Sequence, residues 1–364
     1  MNTTLFDSMT LGALTVPNRI AMAPMTRSRA AADGTPTQLM STYYAQRATA
    51  GLIIAEGTHP TAAGRIGPGA PGLHQDAHRL GWSCVADAVH DAGGRIFVQL
   101  MHAGRLAHPS FLPRGLHPVA PSAIAARAEV YTAGGRKAAV RPQALTHEQI
   151  LHIIDDFARS AARAMAAGLD GVEIHAANGY LLHQFLAENA NLRTDDWGGS
   201  PEARIRLTVE VVRAVAAAIG PHRVGLRISP SNQFGDLAEQ DPDTTYTALV
   251  QELSQDNLAY LHLVETGRAD LDDRIRAVWP SALVVTPTVS RPGDVTKAGA
   301  ANAWLRRGAD LIAFGRGFLA NPDFVERLRV GAPFNAPAPH GLYGGDHRGY
   351  TDYPTLQRLP AVHP

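Results

Sequence analysis

Cysteine is nearly missing from this chain. Its 364 residues include one, Cys84, which excludes internal disulfides and any cluster held by four thiolates. Lysine is almost as scarce: Lys137 and Lys297 are the only two. Neither lies at the inward end of a strand-like segment, so a lyase or aldolase chemistry lacks the lysine it needs. There is no excess of either charge, Lys+Arg and Asp+Glu being 33 each, and hence no sign of a basic nucleic-acid surface or an acidic tail. No run approaches the ~18 apolar residues of a membrane span. Met1-Asn-Thr-Thr-Leu-Phe-Asp lacks a charged segment leading into an apolar one, so we expect no secretory signal. These absences point to a soluble protein of the reducing cytoplasm, without a nucleic-acid or membrane partner.

What is present is a regular alternation. Eight short aliphatic or β-branched runs, at 19–23, 52–56, 95–101, 171–175, 223–229, 260–264, 283–285 and 311–314, are separated by longer helical patterns. Strand, helix, strand in this rhythm implies parallel pairing, and eight repeats imply a closed (β/α)8 TIM barrel. Barrels of this length are often one domain, so residues 1–364 are expected to form one. Glycines 168, 220 and 308 each follow a helical run, where a left-handed residue ends a helix. Thr146-His-Glu-Gln149 fits a capping box, and Ser200-Pro201, Asp241-Pro242 and Asn321-Pro322 each pair an N-cap with a first-turn proline. Two segments fall outside the repeat. Leu11-Gly-Ala-Leu-Thr-Val16 suggests a short hairpin plugging the lower end of the barrel. Residues 103–146, rich in Pro, Gly and His, form a long excursion after the third strand, of the length expected for a lid.

The run His175-Ala-Ala-Asn178-Gly-Tyr180 carries the most chemistry. Two hydrogen-bond donors and a phenol lie within six residues, just past the strand-like Gly171-Val-Glu-Ile174. Two donors gripping one oxygen, with an acid nearby, can polarise a carbonyl and protonate the carbon beside it. Strand alternation puts Gln99 on the face of Phe97 and Met101, Arg227 on the face of Gly225 and Ser229, and His175 on the face of Glu173. Inward positions near the carboxyl ends of barrel strands are where active sites are built. A guanidinium there is costly unless an anion meets it; that anion is either Glu173, in a salt bridge, or an electron-rich cofactor. Gln99 can both donate and accept, which suits an imide edge, or it is bonded to backbone. Gly315-Arg316 at the end of the last strand matches the phosphate site recurrent in such barrels. Thr26 stands at the first strand's end, where a backbone cap is the ordinary role. His102, His108 and His117 lack metal-ligand spacing, so structural or solvent-facing roles are expected and no metal is implied.

With these residues in hand, the chain resembles the old yellow enzyme family of FMN-dependent ene-reductases over nearly its whole length. The resemblance is carried by Pro17-Asn18-Arg19, Met22-Ala-Pro-Met-Thr26, Tyr44-Ala-Gln-Arg47, Gly69-Ala-Pro-Gly72, the 175–180 run and Asn191-Leu-Arg-Thr-Asp195. Gly198-Gly-Ser200, Arg227-Ile-Ser-Pro230, Phe314-Gly-Arg316 and Gly349-Tyr-Thr-Asp-Tyr-Pro354 complete it. It implies non-covalent FMN held by Pro24, Met25, Thr26, Gly57, Gln99, Arg227, Gly315 and Arg316, with NAD(P)H as reductant. It implies that His175 and Asn178 bind the substrate's oxygen, that Tyr180 donates the proton, and that Tyr343 lines the pocket. Hydride from flavin N5 and a proton from the opposite face would give net trans addition to an α,β-unsaturated carbonyl compound, with ping-pong kinetics. The same donors suit nitroesters and nitroaromatics, so the small-molecule partner is an enone or a nitro compound; the assembly is a monomer or homodimer. Three positions depart from the family pattern. Gly67 and Met101 replace bulky residues and imply a wider pocket. Thr288 replaces a glycine of the phosphate loop, where it crowds the phosphate or donates its hydroxyl. Gly67 and Thr288 together motivate a third reading, a ligand-binding barrel impaired in redox function.

Overall fold

The computed structural model describes residues 3–288, 295, 296 and 298–356. Eight parallel strands close into a barrel: β1 (Ile20–Met22), β2 (Leu52–Thr58), β3 (Ile96–Leu100), β4 (Gly171–Ala176), β5 (Val224–Ile228), β6 (Tyr260–Val264), β7 (Leu283–Thr286) and β8 (Leu311–Phe314). Spatial order follows chain order, and β8 pairs back onto β1. Every strand expected from an aliphatic run is there, its ends within two residues. Both faces of such strands are covered, and this is why the runs are mostly apolar, with Gln99, Glu173, His175, Arg227 and His262 as the polar residues of β3–β6. Among the described residues no helix is long and apolar enough to cross a membrane.

The helices begin where their caps direct. The Thr146 hydroxyl accepts from Gln149 N in a full capping box that opens His147–Ala166. Ser200 and Asp241 accept from Ala203 N and Thr244 N at the starts of Pro201–Ile219 and Pro242–Leu253. The expectation for Asn321-Pro322 is corrected. The helix there is Phe324–Val330, with Asp323 at its N-cap. Asn321 Nδ2 instead donates to Gly317 O, and its Oδ1 accepts from Asn335 N. A side chain saturated by contacts on both sides has nothing left for a helix start.

The barrel interior is layered. At the lower end, Leu11 and Val16 of the hairpin Met9–Leu11/Leu14–Val16 pack onto Ala21, Leu52, Ile54, Phe97, Val284, Leu311 and Ala313. The next layer turns polar. Glu173, Gly225 and Tyr260 stand side by side in register on β4, β5 and β6. A Cβ at position 225 would lie 2.2 Å from the Tyr260 ring, so glycine is what lets that ring cross β5. His175, Arg227 and His262 form the following row.

Above the barrel's upper end lie two further segments. Within the excursion after β3, a hairpin, Glu129–Thr132/Gly135–Ala138, reaches over the mouth. The C-terminal stretch is strapped on by Arg27, whose buried guanidinium donates to Leu342 O, Gly341 O, Gly349 O and Tyr43 Oη. That strap carries Tyr343 to the mouth.

Candidate active site

Two cavities share a wall at the carboxyl end of the barrel. The inner one, about 250 Å³, is lined by Pro24, Thr26, Gly57, Gln99, Met101, His175, Asn178, Tyr180, Arg227, Asn232 and Phe234. The outer one, about 470 Å³, has Thr26, Tyr180 and Phe234 in common with it and adds Gly67, Leu106, Tyr131, Arg136 and Tyr343 among others. Residues from five barrel strands, or the loops that follow them, thus meet in one place.

The 175–180 run is folded tightly. Asn178 takes φ 49° and Gly179 φ 80°, a left-handed pair that asparagine and glycine tolerate best. Asn178 N donates to Ser229 Oγ at 2.7 Å, and a Cβ on Gly179 would lie 2.3 Å from Phe234 O. The turn is therefore locked against the loop after β5. From that loop, Asn232 Nδ2 donates to Asn178 Oδ1 at 3.3 Å. With its oxygen engaged, Asn178 is left with its amide N–H groups to offer. Tyr180 follows, its ring 5.4 Å from that of His175. Burial, with Tyr343 adding to it, pushes the phenol up to about 12, so it is protonated throughout the physiological range.

Beneath them lies a network centred on Glu173, which is fully buried. Its carboxylate accepts from Gln99 Nε2 at 2.7 Å, from Tyr260 Oη at 3.1 Å and from His262 Nδ1 at 2.7 Å. Burial alone pushes a carboxyl up; here His262, Arg227 and Gln99 outweigh it and hold Glu173 below the ordinary value. Gln99 Nε2 also faces His175 Nδ1 at 3.1 Å. Burial, and then the charge of Arg227, pull His175 far below the usual histidine range, so its ring is neutral.

Arg227 is the outlier. Its side chain is buried, and its Nε has no hydrogen-bond partner. Arg227 and Glu173 attract each other without a direct salt bridge, and Glu173 is hydrogen-bonded by the His262 ring instead. Burial outweighs the attraction of Glu173 and draws the guanidinium below the ordinary arginine value, so the position combines a costly buried charge with an N–H still lacking an acceptor. FMN fits the polar atoms left over, one donor and one acceptor: Arg227 Nε without a partner and Gln99 Oε1 turned away from Glu173. Among the described residues no group of His, Cys, Asp or Glu is arranged to hold a metal ion.

Not every expected residue lies in the cavities. Gly315, at the end of β8, stands beside Met25, whose Sδ would be 3.5 Å from a Cβ there, and Arg316 is exposed in the first turn of Arg316–Ala320. Thr288 is exposed too, and both its N and its Oγ1 donate to Glu265 Oε2 at 2.6 and 2.9 Å. Val289 and Ser290 of that loop, and Lys297, lie outside the described residues. His102 is buried, accepts from Gly104 N, and is pulled down to about 3 by burial. Sequence reasoning missed Asn232 and Phe234, which sit on a loop with no periodicity. It also missed Tyr260 and His262, although their alternation on β6 would have placed both inward.

Fold and site together define a flavin-dependent oxidoreductase barrel. Residues 4–335 match the model of the NADH:flavin oxidoreductase / NADH oxidase family, and the chain belongs to that family. It is 38% identical to the probable flavin mononucleotide-dependent alkene reductase of Leishmania infantum over 97% of each chain. It is 38% identical to 12-oxophytodienoate reductase 1 of Oryza sativa subsp. japonica, over 96% of this chain and 92% of that one. Among solved structures, morphinone reductase in complex with tetrahydroNAD superposes with a TM-score of 0.92 at 43% identity, covering 98% of this chain and 100% of that one.

Proposed function

We propose that this protein is an FMN-dependent NAD(P)H oxidoreductase that reduces the activated C=C bond of α,β-unsaturated carbonyl compounds. The observation that carries the proposal is the buried Arg227 guanidinium, unpartnered at Nε, in the wall of a cavity shared with His175, Asn178 and Tyr180. Gln99 and Arg227 would hold the flavin from inside the barrel, with Pro24, Met25, Thr26 and Gly57 on the β1–β2 side and Gly315, Arg316 and Thr288 toward its phosphate. When bound, FMN supplies the two-electron redox chemistry between NAD(P)H and the alkene.

The chain's own residues supply the rest. A neutral His175 and the Asn178 amide donate to the substrate's carbonyl oxygen and stabilise the negative charge that develops on it. Tyr180, held protonated, gives its proton to the α-carbon. Met101 and Gly67 bound the space for the substrate's ring, and Tyr343 covers the outer cavity. Residence in the cytoplasm and a monomeric or homodimeric state belong to the same proposal, as does a single domain over 1–364.

The test is anaerobic turnover under NADPH with flavin bleaching followed directly. Cyclohexenone should reoxidise the bleached protein; a nitroester, whose oxygens suit the same two donors, is the second arm. Purified protein that stays colourless with excess FMN would overturn the proposal.

A further inference from the structure

We propose that Glu173 is a positioning residue: acting through Gln99, it decides which nitrogen of His175 carries the ring proton. This rests on the reading of His175 as a donor to the substrate. Glu173 accepts only, so the end of Gln99 that meets it must be the amide nitrogen. That –NH2 has two protons, and the second is directed at His175 Nδ1. Nδ1 therefore accepts, and the single proton of the neutral ring resides on Nε2.

The polarity of the relay is fixed from the other side as well. Tyr260 Oη and His262 Nδ1 both approach Glu173 Oε2. The buried His262 is neutral, and the Thr286 hydroxyl at 2.7 Å from Nε2 leaves Nδ1 to donate. With both of these donors on Oε2, Gln99 meets Oε1, a carboxylate oxygen that only the amide –NH2 can face favourably. The assembly depends on Gly225, because a side chain there would occupy the path of the Tyr260 ring.

Glu173→Gln should reverse the chain of polarity. Its carbonyl must face the two donors on the Oε2 side, so its –NH2 turns to Gln99. Gln99 then offers oxygen to both neighbours, and His175 must move its proton to Nδ1. The experiment is 15N NMR of ring nitrogens in the full-length, flavin-loaded protein labelled at histidine, assigned against His175→Asn. The wild type should show the Nε2–H form and Glu173→Gln the Nδ1–H form. Affinity for cyclohexanone, a saturated probe that cannot be reduced, should fall roughly tenfold or more, as when a donor is replaced by an acceptor.

A Glu173 that merely supports the fold would lower stability and leave the tautomer alone. A folded Glu173→Gln that retains Nε2–H, or a wild type already in the Nδ1–H form, overturns the proposal. Should Glu173→Gln fail to fold, Gln99→Leu removes the relay: a mixture of tautomers supports the proposal, and an unchanged Nε2–H form contradicts it. The tautomer is read without turnover, so its outcome is separable from whether enones are the substrates.

Discussion

The two ends of the barrel interior are built from the same eight strands and obey opposite rules. At the lower end, hairpin residues Leu11 and Val16 meet Ile54, Leu311 and their neighbours in an apolar layer where nothing needs a partner. At the upper end, Glu173 has three donors, while the buried Arg227 Nε–H has no acceptor. The lower layer stabilises through burial and close packing. The upper layer gives up stability to hold polar groups ready for something that is not protein.

The largest effect should come from removing the upper layer's acid. Tyr180→Phe is expected to slow alkene reduction by roughly 10²–10⁴-fold and to leave flavin reduction by NAD(P)H intact. Stopped-flow measurement of the two half-reactions checks this, and equal losses in both would erase the distinction between acid and scaffold. Next is the lower layer: Ile54→Ala should cost about 2–5 kcal/mol of stability by denaturant unfolding, with flavin affinity unchanged in the folded fraction. Loss of flavin binding there would mean that the two ends are not separable.

The contrast also has a pH signature. His102 lies at the upper end with its pKa near 3 in the folded state, against about 6.5 unfolded. As pH falls below about 6.5, the unfolded chain takes up the proton first, so stability is lost downward. Between pH 6.5 and 5 this amounts to about 2 kcal/mol from His102 alone, and His59 and His175, also held low by burial, act in the same direction. Urea unfolding midpoints across that window test it; a flat profile would count against neutral buried histidines. The smallest effect is expected at the mouth. A Cβ on Gly67 would meet only Tyr131 O, at 3.9 Å, so Gly67→Tyr should change stability by no more than about 0.5 kcal/mol. It should raise KM for a two-ring enone within roughly tenfold relative to cyclohexenone, a change read by steady-state kinetics.

The same contrast explains what was legible in the sequence. The strands were, because buried parallel strands are aliphatic runs, and Gln99, His175 and Arg227 were, because alternation places a polar residue inward only where something meets it. The fate of Glu173 was not. Its partners Tyr260 and His262 come from β6, beyond a neighbouring strand, and only register with Gly225 between them brings the Tyr260 ring across. Asn232 and Phe234 were hidden for a different reason: loop residues have no period to betray which way they face. Asn321 illustrates the limit of cap motifs, since an Asn-Pro pair reads as a helix start until tertiary partners claim the side chain. Thr288 was marked by its departure from a glycine pattern, but its engagement with Glu265 was not readable from spacing.

The most direct measurement replaces the buried guanidinium by an apolar chain of similar length. Arg227→Met, compared with wild type in the absence of flavin, should melt at the same temperature or higher, because the cost of burying the guanidinium outweighs its attraction to Glu173. Titration with FMN should then show affinity reduced at least tenfold. A variant that melts lower while binding FMN as tightly as the wild type would contradict the account, since the guanidinium would then be serving the fold and not the flavin.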